Sequence, residues 1–287
     1  MTILVQVKSF FYIFILLLVL WAFLAQGCMS FRITDTEAQK QFHDKGMELS
    51  IKTAQVGGRN IHYASSGQDD KPTLLFIHGT PGSWNAFIDY MQDKELLKQF
   101  RVISVDRPGF GYSDFGKVMN LQHQSTLLND WVQQISNGKP VYLVGHSLGG
   151  PLVVKMAADK PSLYSSIVII SGSIDPDEEK AEKWRVVFYK TPLNYFLPGA
   201  FRPSNQELWY LKSDLRELKK DFTKIRMPVY FIHGDADTWV PPGNVAFGKK
   251  MLSNASEVGE LMLPKGGHFI PWTHFKEIRD ALLTIHH

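Results

Sequence analysis

Ser147 is the residue of this chain whose surroundings point most directly to chemistry. It lies in the run Gly145-His146-Ser147-Leu148-Gly149, a G-x-S-x-G pattern, between the apolar run VYLV and a helical segment. Glycines on both sides remove the side chains that would clash in a sharp strand-to-helix turn. The hydroxyl would then project at a helix N-terminus, where free N–H groups and the dipole favour developing negative charge. The pattern predicts a nucleophilic serine.

A nucleophilic serine needs a neighbouring base, because a neutral hydroxyl is a weak nucleophile. Histidine can take the hydroxyl proton and return it to the leaving group, and a carboxylate on its other ring nitrogen fixes the tautomer. The candidate base is His268, in a Gly-Gly-His-Phe run after the last apolar segment. Three carboxylates are candidates for the acid: Asp237, Asp235 two residues before it, and Asp175 after the run SIVIIS.

Short apolar runs alternate with helical segments along the chain and predict the scaffold for these side chains. IKTAQV (51–56) and NIHYAS (60–65) flank a Gly-Gly pair and predict a hairpin. The next five runs are β-branched, as in strands buried on both faces, and a last run follows. They are TLLFIH (73–78), RVISVD (101–106), VYLVGH (141–146), SIVIIS (166–171), VYFIHG (229–234) and GELMLP (259–264). We expect helices over 84–99, 121–137, 148–160 and 272–285. This alternation predicts an α/β fold with a mostly parallel sheet covered on both sides.

Residues 173–227 break the alternation, because they are too many for a simple crossover between strands. The segment begins with the charged run DPDEEKAEK and continues with many aromatic residues. Ser204-Asn205-Gln206-Glu207 has the spacing of a capping box and predicts a helix start. We expect a helical insertion over the sheet, called the cap below, with a few of its aromatic side chains lining a pocket.

At this point the chain resembles the α/β-hydrolase fold family, over about residues 49 to 285. The resemblance implies an eight-stranded, mostly parallel sheet flanked by helices. The segment from Gly234 to Pro241 matches the family's G-x-x-D-x-x-V-P pattern, which implies Asp237 as the acid, and His268 stands where the family places its base. The order Ser147, Asp237, His268 is the family's order.

Two further motifs match the same family. His78-Gly79-Thr80-Pro81-Gly82-Ser83 (78–83, the oxyanion loop below) is similar to its HG-x loop, so the backbone N–H groups of Thr80 and Leu148 are implied as oxyanion donors. The run DRPGFGYS (106–113) matches the family's DxxGxGxS turn, for which we expect an architectural role. It is no dinucleotide fingerprint, since the third Gly would fall at Asp114. His78 and His146 are expected to brace loops.

The first 27 residues differ from the rest of the chain. Phe10 to Ala25 is an unbroken apolar run of 16 residues, which as a helix covers about 24 Å against about 30 Å for a bilayer core. Ala25-Gln26-Gly27-Cys28 resembles the lipobox of bacterial lipoproteins, although Leu is usual where Ala25 stands and Gln26 is atypical. We expect 1–27 to be a signal peptide or anchor, 28–48 a tether, and 49–287 the hydrolase domain.

Lipid attachment at Cys28 would place the protein in a bacterial cell envelope. We weigh this lipoprotein ahead of an uncleaved N-terminal helix, and either form tethers the domain to a membrane.

Composition excludes several other functions. The chain of 287 residues carries 31 Lys+Arg and 28 Asp+Glu, a net charge of +3 with no basic stripe, which disfavours nucleic acid as a partner. One Cys rules out an intrachain disulfide framework and a Cys-based zinc cluster. No metal-binding or P-loop motif is present, so neither a metal nor a cofactor is predicted, and no obligate protein partner is evident.

The resemblance implies a serine hydrolase of small carboxylic esters that forms an acyl-enzyme. A Ser nucleophile disfavours the dehalogenase and epoxide hydrolase branches, whose nucleophile is Asp. Amidases, carbon–carbon bond hydrolases and haloperoxidases on the same scaffold stay open. So does a non-catalytic binding protein.

Overall fold

The computed structural model describes residues 2–180 and 182–285, with side chains described from Val7 onward. Its eight strands form one sheet, and the predicted apolar runs account for all of them. They are β1 (Ser50–Val56), β2 (Arg59–Ser66), β3 (Thr73–Ile77), β4 (Arg101–Val105), β5 (Val141–His146), β6 (Ser166–Ile170), β7 (Val229–Gly234) and β8 (Val258–Leu263).

α-Helices and short 3₁₀ helices lie before, between and after the strands. The α-helices are α1 (Thr2–Gly27), α2 (Asp35–His43), α3 (Ile88–Met91), α4 (Lys94–Gln99), α5 (Leu121–Ile135), α6 (Gly149–Asp159), α7 (Arg185–Lys190), α8 (Phe201–Leu218), α9 (Gly243–Met251), α10 (Ile270–Thr273) and α11 (Phe275–Leu282). The 3₁₀ helices are Trp84–Phe87, Pro161–Leu163, Pro192–Phe196 and Phe222–Lys224.

The sheet has the order β1-β2-β4-β3-β5-β6-β7-β8. β1 and β2 form the predicted hairpin, β2 pairs antiparallel with β4, and every later pairing is parallel. Parallel strands end at the same edge, so the residues that follow β3, β4, β5, β7 and β8 meet there. The predicted α/β class and the mostly parallel eight-stranded sheet are confirmed.

Two hydrophobic cores cover the faces of the sheet. Side chains alternate between the faces of a strand, so Leu75 and Ile77 of β3 enter one core while Leu74 and Phe76 enter the other. All four are fully buried. With both faces covered, the strands read as continuous apolar runs, which is why the sequence placed them well.

Some helices depart from the prediction. The segment 84–99 is not one helix, because α3 ends at Met91 and Asp93 caps a separate helix α4 by accepting hydrogen bonds from the N–H groups of Glu95 and Leu96. The C-terminal helix predicted over 272–285 is likewise divided into α10 and α11.

The cap contains α7 and α8, and the capping-box prediction at Ser204 was wrong. Helix α8 begins at Phe201, and Ser204 and Asn205 are buried within it. Asn205 donates from Nδ2 to the carbonyl of Arg185, 3.0 Å away, which joins α8 to α7. Its amide therefore serves cap packing.

The predicted tether 28–48 contains a packed helix. Thr34 caps α2, accepting from the N–H of Glu37, and Ala38 and Phe42 are fully buried. Thr34 and Glu37 have capping-box spacing, a signal that could have predicted this helix. The segment is therefore a structured arm against the domain.

Helix α1 carries the apolar N-terminal run. Within Val7–Gly27, 18 consecutive residues reach a mean hydropathy of 2.4, and the segment is by length and composition able to cross a membrane. Its last turns contact the cap. Trp21 donates from Nε1 to the Phe196 carbonyl over 3.1 Å, and Gln26 donates from Nε2 to the Tyr195 carbonyl over 2.8 Å.

Candidate active site

Ser147 occupies a strained turn between β5 and α6. Its φ is +54°, in the left-handed region that side chains rarely adopt. A Cβ at Gly145 would lie 2.2 Å from the Gly149 carbonyl oxygen, and one at Gly149 would lie 2.2 Å from the Ile77 carbonyl oxygen. Both glycines are therefore required by close backbone approach, as the motif predicted. Such strain persists only where surrounding structure imposes it, and it clusters at functional sites.

The structure brings Ser147, His268 and Asp237 together at the carboxyl edge of the sheet. His268 Nε2 lies 3.0 Å from Ser147 Oγ, and His268 Nδ1 lies 2.9 Å from Asp237 Oδ2. With Nδ1 donating to the carboxylate, Nε2 is left to accept the serine proton. The arrangement can generate a serine alkoxide equivalent and hold the resulting imidazolium.

Asp237 is held as a carboxylate. Its Oδ1 accepts hydrogen bonds from the N–H groups of Trp239 and Val240, both 2.9 Å away. Burial alone would raise the pKa of Asp237, but the hydrogen bond and charge of His268 and the two N–H donors outweigh it and lower the pKa. The carboxylate is therefore ionised wherever His268 can act as a base.

Two buried histidines beside the triad are neutral. His146 donates from Nε2 to the His268 carbonyl over 3.0 Å, and burial together with the charge of His268 lowers the pKa of His146 to about 3. His233 donates from Nε2 to the Val240 carbonyl over 2.9 Å, and burial also lowers its pKa. Both donate to loop carbonyls beside the hydrogen-bonded Asp237, His268 and Ser147, and their lowered pKa values make both rings weak bases toward the serine proton.

The predicted oxyanion donors lie beside Ser147. Thr80 belongs to the oxyanion loop after β3, and the preceding Gly79 is so close to Ser147 that a Cβ there would lie 2.8 Å from its Cβ. Leu148 directly precedes the first helical residue of α6, so its N–H lies at the unpaired start of that helix. Thr80 and Leu148 both line a cavity that also contains Ser147 and His268.

The DxxGxGxS turn is built around one buried carboxylate. Asp106 accepts hydrogen bonds from the N–H of Trp84 at 2.7 Å and the N–H of Tyr112 at 2.8 Å. Its Oδ2 also lies 2.8 Å from His62 Nδ1. Burial alone would lower the pKa of His62, but the hydrogen bond and charge of Asp106, together with Asp35, outweigh it and raise the pKa. These contacts fix the loop after β4 and agree with the expected architectural role.

The other candidate acids are engaged elsewhere. Asp235 accepts from the N–H of Lys265 at 2.6 Å, and Asp175 accepts from the N–H of Asp177 at 2.9 Å. Among the hydrogen bonds of residues 2–180 and 182–285, none joins either carboxylate to His268.

Two cavities meet at Ser147. The first, of about 360 Å³, is mostly apolar and is bordered by Phe31, Phe201 and Trp272. The second, of about 500 Å³, also carries charged cap side chains such as Arg185. Ser147, His268, Thr80, Pro81, Phe201 and Trp239 line both. The site can therefore hold an apolar group on one side of the hydroxyl and a polar group on the other.

Sequence reasoning missed the contribution of the arm that follows α1. Phe31 borders the apolar cavity, and its ring meets that of Phe201 at a centroid distance of 5.6 Å. Ser83 of the oxyanion loop donates from Oγ to the Phe31 carbonyl. No local pattern marks Phe31, because only the three-dimensional path of the arm brings it there.

Within the described ranges, no group of three or more His, Cys, Asp or Glu side chains is arranged to hold a metal ion. Cys28, the predicted lipid attachment point, is exposed with a free thiol.

Comparison with known proteins gives the same architecture. Residues 72–195 match a family model described as alpha/beta hydrolase fold. Epoxide hydrolase 3 of Mus musculus is 30% identical over 128 residues, which is 44% of this chain and 34% of that protein. The chain thus spans about a third of the length of this relative, and the match does not assign the relative's activity to the chain.

Two solved structures resemble the whole domain. A bromoperoxidase from Bacillus anthracis has a TM-score of 0.66 and 23% identity, covering 82% of this chain and 99% of that one. A bacterial membrane phospholipase A has a TM-score of 0.62 and 18% identity, covering 97% of both chains. At these identities the likeness shows the fold.

Proposed function

We propose that this chain, which belongs to the α/β-hydrolase fold family, is a membrane-tethered serine hydrolase that cleaves carboxylic esters. The observation that carries the proposal is the unbroken hydrogen-bond chain from Asp237 through His268 to Ser147, at the junction of an apolar cavity and a cavity of mixed polar and apolar lining. Serine at position 147 also argues against epoxide hydrolysis, despite the likeness to the mouse protein.

In the proposed reaction Ser147 Oγ attacks the ester carbonyl while His268 Nε2 takes its proton. The N–H groups of Thr80 and Leu148 bind the oxyanion of the tetrahedral intermediate, and one such donor is worth about 3 to 4 kcal/mol. His268 then protonates the departing alcohol, which leaves an acyl group on Ser147. Water, deprotonated by His268, hydrolyses that acyl group and restores the hydroxyl.

An ester with an apolar acyl chain fits the cavities best. The mostly apolar cavity suits the chain, whereas the cavity with charged cap residues suits a polar alcohol portion. Helix α1 ends against the cap, and Phe31, four residues after its end, borders the apolar cavity. This proximity to a membrane-spanning length of helix supports lipid esters as substrates. The likeness to the membrane phospholipase A along nearly the whole chain is consistent with them.

The state of the tether is part of the proposal. Cleavage before Cys28 would remove Ala25, whose carbonyl accepts the Gly199 N–H over 2.7 Å, together with the Trp21 and Gln26 contacts. These contacts favour the retained helix over lipidation of Cys28. Mass spectrometry of the N-terminus separates the two, since a lipid-bearing chain that starts at Cys28 supports the lipoprotein and an intact Met1 supports the anchor.

Pre-steady-state kinetics test the reaction class. With a p-nitrophenyl ester, an acyl-enzyme mechanism releases a burst of nitrophenol equal to the enzyme concentration wherever deacylation is slower than acylation. Ser147→Ala should show neither burst nor turnover. A panel of acyl lengths, with amides, diketones and a halide-plus-peroxide assay included, separates esters from the other chemistries. Turnover retained in Ser147→Ala would overturn the proposal.

A further inference from the structure

A buried ion pair outside the triad joins the cap to the oxyanion loop. Arg107, in the turn after β4, is fully buried, and Glu207 of α8 is 5% exposed. Arg107 Nη2 donates to Glu207 Oε2 over 2.9 Å, and Nη1 donates to Glu207 Oε1. Removing both charges from water is costly, so a pair of this kind persists only with complete hydrogen bonding.

The guanidinium of Arg107 uses all five of its N–H groups. Besides the two bonds to Glu207, Nη1 donates to Gln124 Oε1 over 3.0 Å. Nε donates to the His78 carbonyl over 2.8 Å, and Nη2 donates to the Gly79 carbonyl over 3.0 Å. Because the donors form a rigid planar fork, the position of Glu207 and the positions of the two carbonyls are set together.

The neighbouring imidazole holds the same carbonyl. His78 donates from Nδ1 to the Gly79 carbonyl over 2.7 Å, and its Nε2 accepts the backbone N–H of Arg107 over 3.0 Å. Burial and the Arg107 charge keep the pKa of His78 well below its usual range, so the ring is neutral and can play both roles.

The Gly79 carbonyl belongs to the same peptide unit as the N–H of Thr80. A peptide unit is planar, so fixing its oxygen also fixes the direction of its N–H. A cationic donor on the oxygen further polarises the unit and strengthens the N–H as a donor. Arg107 thus acts on the group that the proposed reaction uses to bind the oxyanion.

We propose that Glu207 is a positioning residue for the oxyanion hole, acting from the cap through Arg107 on the Gly79–Thr80 peptide. The inference rests on the proposed ester hydrolysis. Gln124 completes the link, because its Nε2 donates to Glu207 Oε1 over 2.8 Å. The packing of α8 on the domain and the orientation of the Thr80 N–H are therefore coupled. The proposed oxyanion hole is complete only when the cap is packed in place.

The test is Glu207→Gln in the full chain, which keeps the shape of the side chain and removes its charge. We expect kcat to fall at least about tenfold, part of the loss that follows removal of an oxyanion donor, with KM within about twofold. The matched control is Glu217→Gln on the same helix, whose side chain is 74% exposed and pairs with Lys220. It should leave both constants unchanged.

The affinity for a boronic acid inhibitor distinguishes a role in the oxyanion hole from a merely structural role. Its boron binds Ser147 Oγ as a tetrahedral anion, with the hydroxyl proton passing to His268, and one boronate oxygen occupies the oxyanion hole. Glu207→Gln should weaken this inhibitor by the same factor as kcat, and Glu207→Asp, which keeps the charge, should recover part of both. Should Glu207→Gln fail to fold, Gln124→Ala tests the same link and is expected to lower kcat at constant KM.

Two outcomes overturn the inference, and both differ from failure of the proposed function. One is a folded Glu207→Gln, or in its place a folded Gln124→Ala, with wild-type kcat and inhibitor affinity. The other is a rise in KM with kcat unchanged, which would make the residue a substrate-binding group. In both cases the wild type still hydrolyses esters. If the wild type neither turns over an ester nor binds the boronic acid, the proposed function itself fails.

Discussion

At the scale of single residues, the site depends on one chain of hydrogen bonds with a single acid. Asp237 receives His268 Nδ1 and two backbone N–H groups, whereas Asp175 and Asp235 are turned to backbone N–H groups of their own loops. An acid in this position fixes the imidazole tautomer. Replacing Asp237 should therefore lower kcat strongly, whereas replacing Asp175 or Asp235 should not.

Asp237→Asn is expected to lower kcat about 10³- to 10⁴-fold, because an amide at this position can favour the wrong tautomer of His268. Asp175→Asn and Asp235→Asn serve as matched controls and should stay within about threefold of wild type, since their carboxylates do not contact the ring. Steady-state kinetics on one soluble ester measure all three. A larger loss of kcat in Asp175→Asn than in Asp237→Asn would show that Asp175, not Asp237, is the acid.

Protonation of His146 should make folding sensitive to acid. The folded-state pKa of about 3 lies below the unfolded value of about 6.5, so the unfolded chain binds the extra proton as pH falls below about 6.5. Stability from this group is fully present above that value and is lost progressively on acidification, by about 2 kcal/mol at pH 5. In His146→Gln, the decrease in Tm between about pH 7 and about pH 5 should be smaller than in wild type. Equal decreases in both proteins would contradict the shift.

At the scale of elements, helix α6 packs directly on the backbone at the end of β3. The contact is closer than a side chain would permit. Gly149 at the start of α6 packs on the Ile77 carbonyl of β3, with 2.2 Å available to a Cβ. Gly267, next to His268, has no positive φ, and a Cβ added to it would have no atom within 4 Å. The structure therefore has no room for a side chain at Gly149 and has room for one at Gly267.

Gly149→Ala should destabilise the fold by at least about 2 kcal/mol, because α6 must move away from β3. Gly267→Ala should change stability by less than about 0.5 kcal/mol. Urea unfolding of the two variants provides the comparison. A Gly149→Ala protein as stable as wild type would show that the turn at Ser147 tolerates a shift of the helix.

The sequence predicted elements well where a local pattern carries the information. Strands buried on both faces read as apolar runs, and the turn at Ser147 carries its own glycines, so both were placed nearly to the residue. Helix bounds in the cap were not, since Ser204, the expected N-cap of α8, is buried inside that helix, which begins at Phe201. The roles of Arg107, Glu207 and Phe31 depend on contacts between residues far apart in the chain, which no spacing encodes.

At the scale of the whole molecule, helix α1, the arm, the cap and the carboxyl edge of the sheet form a connected series. Helix α1 contacts the cap through Trp21, Ala25 and Gln26, and the arm then passes Phe31 along the apolar cavity. If α1 attaches the protein to a membrane, as proposed, attachment and access of lipid substrates are expected to be linked, since Phe31 lies four residues after the end of α1 and borders the apolar cavity.

Removal of residues 1–27 should separate these two properties. We expect the shortened chain to hydrolyse a soluble short-chain ester at a rate similar to the full chain, because the triad and oxyanion loop lie outside the deleted segment. Hydrolysis of phosphatidylcholine vesicles should fall by at least about tenfold, since surface binding is lost. Vesicle co-sedimentation and fatty-acid release measure the two effects. Equal vesicle activity in both chains would refute a role for the helix in delivering substrate.

Labelling of the full chain with a fluorophosphonate tests the central claim, an activated Ser147, most directly. The phosphonate phosphorus bonds to Ser147 Oγ, fluoride leaves, and the hydroxyl proton passes to His268. Peptide mass spectrometry should then find the adduct on the peptide that contains Ser147, with labelling abolished in Ser147→Ala and strongly slowed in Asp237→Asn. An unlabelled wild type with Ser147 accessible, or an adduct on another residue that persists in Ser147→Ala, would contradict the proposed mechanism.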